Sequence, residues 1–225
     1  MLFLLLLQND LYQISFETII FILLYRHNMD KIAAIVLASG KAMRFKSNKL
    51  LYEVNSKALI HYAIDNVSRS NFQQRIIVLR NNEISDYSKQ SGYQVVWNED
   101  FEDGMSTSIV HGIENVSPEI EAAMIIPGDM PLLDNSILNG LIEHFKSSGK
   151  GISGFEYNGT IISPVIFTRK YFTELKGLRG DKGAKSIIVK HHDDFSPMII
   201  SGDLLIDIDT MDDALKFKNL IEHKN

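Results

Sequence analysis

The sequence predicts an α/β domain built on an open, mostly parallel sheet, and three observations carry that prediction. Residues 32–37 (IAAIVL) and 122–126 (AAMII) are short unbroken apolar runs, which suits strands buried on both faces. Between such runs lie segments with apolar residues at helical spacing, the alternation expected of an α/β chain. Each main apolar run also breaks directly into small or polar residues: Ala38-Ser39-Gly40, Arg80-Asn81-Asn82 and Pro127-Gly128-Asp129-Met130-Pro131.

Taken in order, the chain begins with two apolar stretches, 2–7 and 19–24, interrupted by Gln8-Asn9-Asp10, Gln13 and Glu17. No run reaches the ~18–20 residues that a membrane-spanning helix requires. Early positive charge and a small-residue cleavage site, the marks of a signal peptide, are not evident. Met29 therefore reads as the natural start, with 1–28 an upstream extension and 29–225 a single domain; a membrane-associating helix is the alternative for 1–28.

After the first strand, residues 57–68 carry Leu59, Ile60, Ala63, Ile64 and Val67 at helical spacing. Strands are expected at 75–79, 93–97 and 122–126, and helices at 105–116 and 135–145. Shorter elements follow at 151–156, 161–167, 171–175, 182–191 and 198–206. A last helix opens at Thr210, where Thr-Met-Asp-Asp supplies an N-cap and an acidic third position.

Composition narrows the function classes. The 225 residues are 45% hydrophobic and 23% charged, enough for one sizeable core and too apolar for disorder. A net charge of −5 argues against a broad nucleic-acid-binding face, so an anion site must be local. Cysteine is absent, which excludes disulfides, thiolate catalysis and Cys-ligated metal, and the expected location is the cytoplasm.

In an open parallel sheet the ligand crevice lies beyond the carboxyl ends of the strands. That rule selects four loops: 38–49, 80–82, 98–108 and 127–131. In the first, a buried strand feeds small residues with free N–H groups and then Arg44 and Lys49, an arrangement suited to a polyphosphate. An ordinary strand–turn with surface cations is the alternative. Asp129 follows a buried strand in a stiff Gly/Pro turn, the setting of a Mg²⁺ ligand; Asp207 and Asp209 share a face and either suits a second ligand, or caps the following helix. Gly104-Met105-Ser106-Thr107-Ser108 would present N–H groups and hydroxyls to a ribose or base, or serve as a plain N-cap. His191-His192-Asp193-Asp194 reads as a solvated helix end, because adjacent side chains project in different directions. His61, His111 and His144 have no evident triad partners and are read as surface or packing residues. Neither GxxxxGK[ST] nor GxGxxG occurs.

The run Leu37-Ala38-Ser39-Gly40-x-Ala42-x-Arg44-Phe45-x-x-x-Lys49-Leu50 resembles the LAAGxSxRMGxxK signature of the nucleotidyltransferases that activate sugars, isoprenoid precursors and molybdopterin. Asn98 with 102–108, the 127–131 turn, Pro164-Val165-Ile166-Phe167, Gly180-Asp181-Lys182-Gly183-Ala184 and Asp207-Ile208-Asp209-Thr210 follow in order. Together they resemble the molybdenum cofactor cytidylyltransferase (MocA-like) branch of the MobA-like group, over about residues 30 to 222.

The resemblance implies a Rossmann-like, three-layer α/β/α domain that transfers a nucleotidyl group from a nucleoside triphosphate. Leu37, Ala38, Ser39 and Gly40 would bind the triphosphate, Arg44 and Lys49 would neutralise it, and Arg80, Gly104, Ser106 and Ser108 would complete the nucleotide pocket. Asp129 would hold Mg²⁺ with Asp209 as the second ligand. Pro164, Asp181, Lys182 and Gly183 would lie at the acceptor. The implied partners are CTP in preference to GTP, a molybdopterin-type acceptor and a molybdenum hydroxylase apoenzyme. Four departures stand out: Ala42 in place of a hydroxyl residue, Lys46 in place of glycine, Ile162-Ser163-Pro164 in place of Gly-His-Pro, and Ala38-Ser39-Gly40 in place of the Ala-Gly-Gly of guanylyltransferases. A phosphomonoester acceptor is already anionic, so such transfer needs charge neutralisation and in-line placement, not a Ser–His or Cys–His pair. Two other readings remain: a nucleotidyltransferase for a sugar phosphate or other small phosphate, and a nucleotide-binding accessory protein for molybdenum hydroxylase maturation.

Overall fold

The computed structural model describes residues 31–40, 48–181, 183–201, 208 and 210–222. Arg44, Lys182, Asp207 and Asp209 lie outside the described residues, as do Ala42, Lys46 and the 1–28 segment. Among the described residues, no helix is long and apolar enough to cross a membrane.

Among the described residues a seven-stranded sheet forms the centre, in the order β5-β4-β1-β6-β8-β7-β9. Its strands are β1 (Ile32–Leu37), β4 (Gln74–Leu79), β5 (Gln94–Trp97), β6 (Ala122–Pro127), β7 (Ile152–Tyr157), β8 (Thr160–Thr168) and β9 (Phe195–Ile199). β1 pairs in parallel with β4 on one side and β6 on the other, and β4–β5 and β7–β9 are also parallel. β8 runs antiparallel to both β6 and β7. The sheet is therefore mostly parallel, as the apolar runs predict.

Among the described residues seven helices accompany it: α1 (Leu59–Ser68), α2 (Ser85–Gln90), α3 (Met105–Glu114), α4 (Asn135–Ser148), α5 (Phe172–Lys176), α6 (Lys185–Lys190) and α7 (Met211–Glu222). The pleat of β1 sorts them into layers. Ile32, Ala34 and Val36 join the core that holds Ile60 and Ile64 of α1 and Leu138, Leu141 and Phe145 of α4. Ala33 and Ile35 face the opposite core, with Ile109 and Ile113 of α3, Leu175 of α5 and Ile188 of α6. Fully burying one such large side chain contributes about 1.5–3 kcal/mol. An exposed ion pair contributes about 0–1 kcal/mol, so the two apolar layers set where the loops stand.

Several local expectations shift. Lys57–Ala58 (β3) pairs with Glu53–Val54 (β2) instead of opening a helix, because Asn55 and Ser56 take φ of 50° and 59° in a two-residue hairpin turn. α2 was not anticipated. Of the strand expected at 198–206, residues 202–206 lie outside the described residues; 198 and 199 end β9, Phe195–Ile199, which includes Pro197, tolerated at the end of the sheet order. The helix expected at 182–191 is shorter, Lys185–Lys190. The cap at the last helix forms as its sequence indicates: Asp213 N–H donates to Thr210 Oγ1 at 3.2 Å and Thr210 N–H to Asp213 Oδ2 at 3.0 Å.

His61 and His144 hold structural posts. His61 stacks on Tyr87 with ring centroids 3.7 Å apart, and His144 Nε2 lies 2.9 Å from Ser196 Oγ. In the 191–194 cluster, only His192 and Asp193 project into solvent. His191 Nε2 reaches Glu174 Oε1 at 2.9 Å, and Asp194 accepts from the Tyr171 hydroxyl and pairs with Lys170 Nζ at 2.7 Å. Burial opposes charge on Asp194, but Lys170, the Tyr171 hydroxyl and the Gly151 N–H outweigh it and hold the carboxyl below its usual range. A depressed carboxyl pKa stabilises the fold above the unfolded value and loses that stability as pH falls through the folded value. Asp194→Asn should therefore flatten the acid limb of stability below about pH 4. Unfolding midpoints measured across that range check it; a limb as steep as wild type refutes the contribution.

Candidate active site

The site is built where the chain leaves the sheet on either side of β1. Connections from β1 go to β4 on one side and reach β6 on the other, so the crevice between β1 and β6 opens at their carboxyl ends. Ala38 N–H still donates to Val78 O at 3.0 Å, and Gly128 N–H donates to Leu37 O at 3.0 Å. These two bonds fix both loop stems. Gly128 also has no room for a side chain: a Cβ would lie 2.8 Å from Ile60 Cδ1 and 3.0 Å from Leu37 O. Asn66 Nδ2 donates to Pro131 O at 3.1 Å and secures the far side of the turn.

Asp129 stands on that turn and meets Lys49. The Lys49 ammonium lies 2.6 Å from Asp129 Oδ2, with both side chains largely covered. Lys49 owes its position to a short 3₁₀ turn, Lys49–Leu51, capped by the Asn48 side chain and anchored by buried Leu50. Two residues far apart in sequence thus meet at the end of β6. The Ile208 amide donates to Asp129 O at 3.2 Å, which brings the backbone of the Asp207–Asp209 stretch to the same turn at its one described residue.

The third loop begins at Asn98, whose N–H donates to Leu79 O at 2.8 Å. Its side chain is buried, and Nδ2 lies 2.9 Å from Thr107 Oγ1, 3.1 Å from Ser108 Oγ and 3.2 Å from Ser39 Oγ. The Ser39 and Ser108 hydroxyls are 2.5 Å apart. The β1 loop is thereby tied to the start of α3. Gly104 and Ser106 tie α3 in turn to the 180–184 segment, since Ser106 N–H donates to Gly180 O at 3.1 Å.

A cleft of about 750 Å³ runs through these loops. Leu37, Ser39, Gly40, Gly104, Ser108, Asp129, Asp181 and Gly183 line it. Other expected contacts stand apart. Ala38 and Ser106 are buried and do not line the cleft. Pro164 is buried too, while its neighbours Ser163 and Val165 face the cavity. Arg80 does not line the cleft; its guanidinium lies 5.6 Å from the ring of Phe101, which does. Phe101 and Lys185 were not assigned roles from sequence. Lys185 directly follows the 180–184 motif, so its neighbour relation was the available signal.

The donor set suits a hard cation only in a particular way. Among the described residues, no three His, Cys, Asp or Glu side chains gather as a metal cage. A magnesium-type site needs only one or two protein carboxylates, with phosphate oxygens and water completing it. Asp129, which lines the cleft, fits that smaller requirement.

Solved structures define the fold class first. The Rv0371c homolog from Mycobacterium sp. strain JC1 superposes with a TM-score of 0.73 at 24% identity, covering 87% of this chain and 99% of that one. A manganese complex of Rv0371c from Mycobacterium tuberculosis H37Rv gives 0.69 at 23% identity, covering 84% and 98%. The architecture is that of the nucleotide-diphospho-sugar transferase class. Residues 34–195 match the model of the MobA-like NTP transferase domain, and the chain belongs to that family. It is also similar to a probable molybdenum cofactor guanylyltransferase of Pyrococcus horikoshii, 28% identical over 155 residues that span 68% of this chain and 77% of that protein.

Proposed function

We propose that this protein transfers a nucleotidyl group, CMP from CTP, to the phosphate of a molybdopterin-type acceptor and releases pyrophosphate. The observation that carries the reading is that Asp129, which lines the cleft with Ser39 and Gly40, holds the Lys49 ammonium beside it at 2.6 Å. A triphosphate entering there meets loop N–H groups, an ammonium and a carboxylate able to hold a cation. The residues needed to activate a neutral nucleophile are not needed for an anionic phosphate.

On this reading Lys49 and Arg44 neutralise the triphosphate, and Ser39, Gly40 and Ser108 position it. Asp129, with Asp209 as partner, would hold Mg²⁺, which when bound neutralises charge on the phosphates. The manganese complex of the Rv0371c protein supports a divalent cation in this fold. Asp181 and Gly183, which line the cleft with Lys185, would contact the acceptor, and Lys182 is assigned to it from the sequence motif.

Cytosine rather than guanine rests on Ala38-Ser39-Gly40 standing where guanylyltransferases carry Ala-Gly-Gly. The similarity to a probable guanylyltransferase favours GTP as the second reading. Pyrophosphate release from CTP, GTP, ATP and UTP against molybdopterin and against sugar phosphates separates them. CTP with molybdopterin should exceed every other pair by at least about tenfold, a difference of roughly 1.4 kcal/mol in transition-state stabilisation. A preference for GTP overturns the base, a preference for sugar phosphates overturns the acceptor, and triphosphate binding without release leaves the accessory role.

A further inference from the structure

We infer that Asn98 is a positioning residue that converts the Ser39–Ser108 pair into a hydrogen-bond donor aimed at the nucleotide. The inference rests on the nucleotide reading of the cleft and adds what the cleft demands of its ligand.

A count of protons leads there. Thr107 Oγ1 donates to Gly104 O at 2.8 Å, so its oxygen is left to accept from Asn98. One amide proton of Asn98 serves Thr107 Oγ1, and the other is shared between the oxygens of Ser108 and Ser39. Between Ser39 Oγ and Ser108 Oγ, 2.5 Å apart, there is room for one hydroxyl proton. Whichever serine donates that proton, the other oxygen has accepted twice, from its partner and from Asn98. Its lone pairs are then used, and its own O–H is what remains. Both serines line the cleft, so in either order one serine O–H is left to donate, while the serine that gave the shared proton accepts only from Asn98 and keeps one lone pair.

The amide orientation follows from the same accounting. Asn98 Oδ1 is buried with no hydrogen-bond partner. Turning the amide over would place the NH₂ group there and strand two donors in place of one acceptor, which is the costlier arrangement. The NH₂ group therefore faces the hydroxyls.

The ligand that fits is one presenting an acceptor at this point: a carbonyl oxygen, ring nitrogen or phosphate oxygen of a nucleoside triphosphate. Asn98→Asp keeps the shape and reverses the polarity, because a carboxylate accepts the hydroxyl protons and draws them away from the cleft.

Calorimetry with CTP and GTP on wild type and Asn98→Asp tests this, alongside steady-state kinetics. Triphosphate affinity should fall at least about tenfold, with the triphosphate KM rising while the acceptor KM stays within about twofold. Ser39→Ala with Ser108→Ala should show the same loss, and adding Asn98→Asp to that pair should change nothing further. Should Asn98→Asp fail to fold, the serine pair decides, and unchanged triphosphate affinity in it overturns the inference. Equal binding by wild type and Asn98→Asp overturns it, as do additive losses or a parallel rise in both KM values. A wild type that binds no triphosphate instead overturns the reading of the cleft on which the inference rests.

Discussion

Asp129→Ala should lower turnover by roughly 10²–10³-fold or more while the protein stays folded, the scale expected when one preorganised electrostatic group is removed from a charge-developing site. The fold should survive because the Asp129 side chain, though largely covered, is engaged in the ion pair to Lys49 and not in holding the backbone of the turn. A partly exposed pair contributes about 0–1 kcal/mol. The bonds that hold the turn use other atoms, namely Gly128 N–H to Leu37 O, Asn66 to Pro131 O and Ile208 N–H to Asp129 O. Lys49 and the Ser39–Gly40 loop remain, so triphosphate affinity should change by less than about tenfold even as pyrophosphate release collapses. Release assays and thermal unfolding on the same preparation separate these effects. Turnover within a few-fold of wild type refutes the assignment of Asp129; a collapse in unfolding midpoint shows that its role is structural.

How much of this was written in the sequence depends on the range of the contact. β1 and β6 were legible because a strand buried on both faces must be apolar throughout, and their loops followed from the rule that ligands bind beyond strand ends. The β2–β3 hairpin was not, because Lys57-Ala58 runs straight into the helical spacing of α1 and a two-residue strand has no period of its own. α2 escaped because it buries Ser85 and Ser88 where an apolar stripe would announce a helix. In the site, each half of the Lys49–Asp129 pair was readable from its own loop, but their contact was not. The Asn98 cluster is the clearest case. Its serines are 69 positions apart, and a lone Asn after a strand carries no sign of the hydroxyls it will meet. Local chemistry is visible in sequence; convergence of loops depends on sheet order, which a single sequence states only indirectly.

Gly104→Ala should be the most damaging change that removes no functional group. Gly104 adopts φ of 107° and ψ of 175°, a region that L residues rarely enter and that costs about 1–3 kcal/mol when forced. Space is the second obstacle. A Cβ there would collide with the carbonyl of Gly180 and lie 2.9 Å from Asp181 N, and these are backbone atoms that cannot swing aside. The strain alone should lower the unfolding midpoint by roughly 2–12 °C. Relief of the collision requires the 180–184 segment to retreat from α3, stretching the bond from Ser106 N–H to Gly180 O. Since Asp181 and Gly183 line one part of the cleft and Ser108 another, the retreat should raise the KM of both substrates together. Gly40→Ala is the matched control for stability, because a Cβ at Gly40 meets nothing within 4 Å and its φ is unexceptional. A Gly104→Ala protein with normal stability and normal KM values would mean that the 104–180 contact does not hold the two halves of the cleft together. A loss of stability with unchanged KM values would mean that it supports the fold alone.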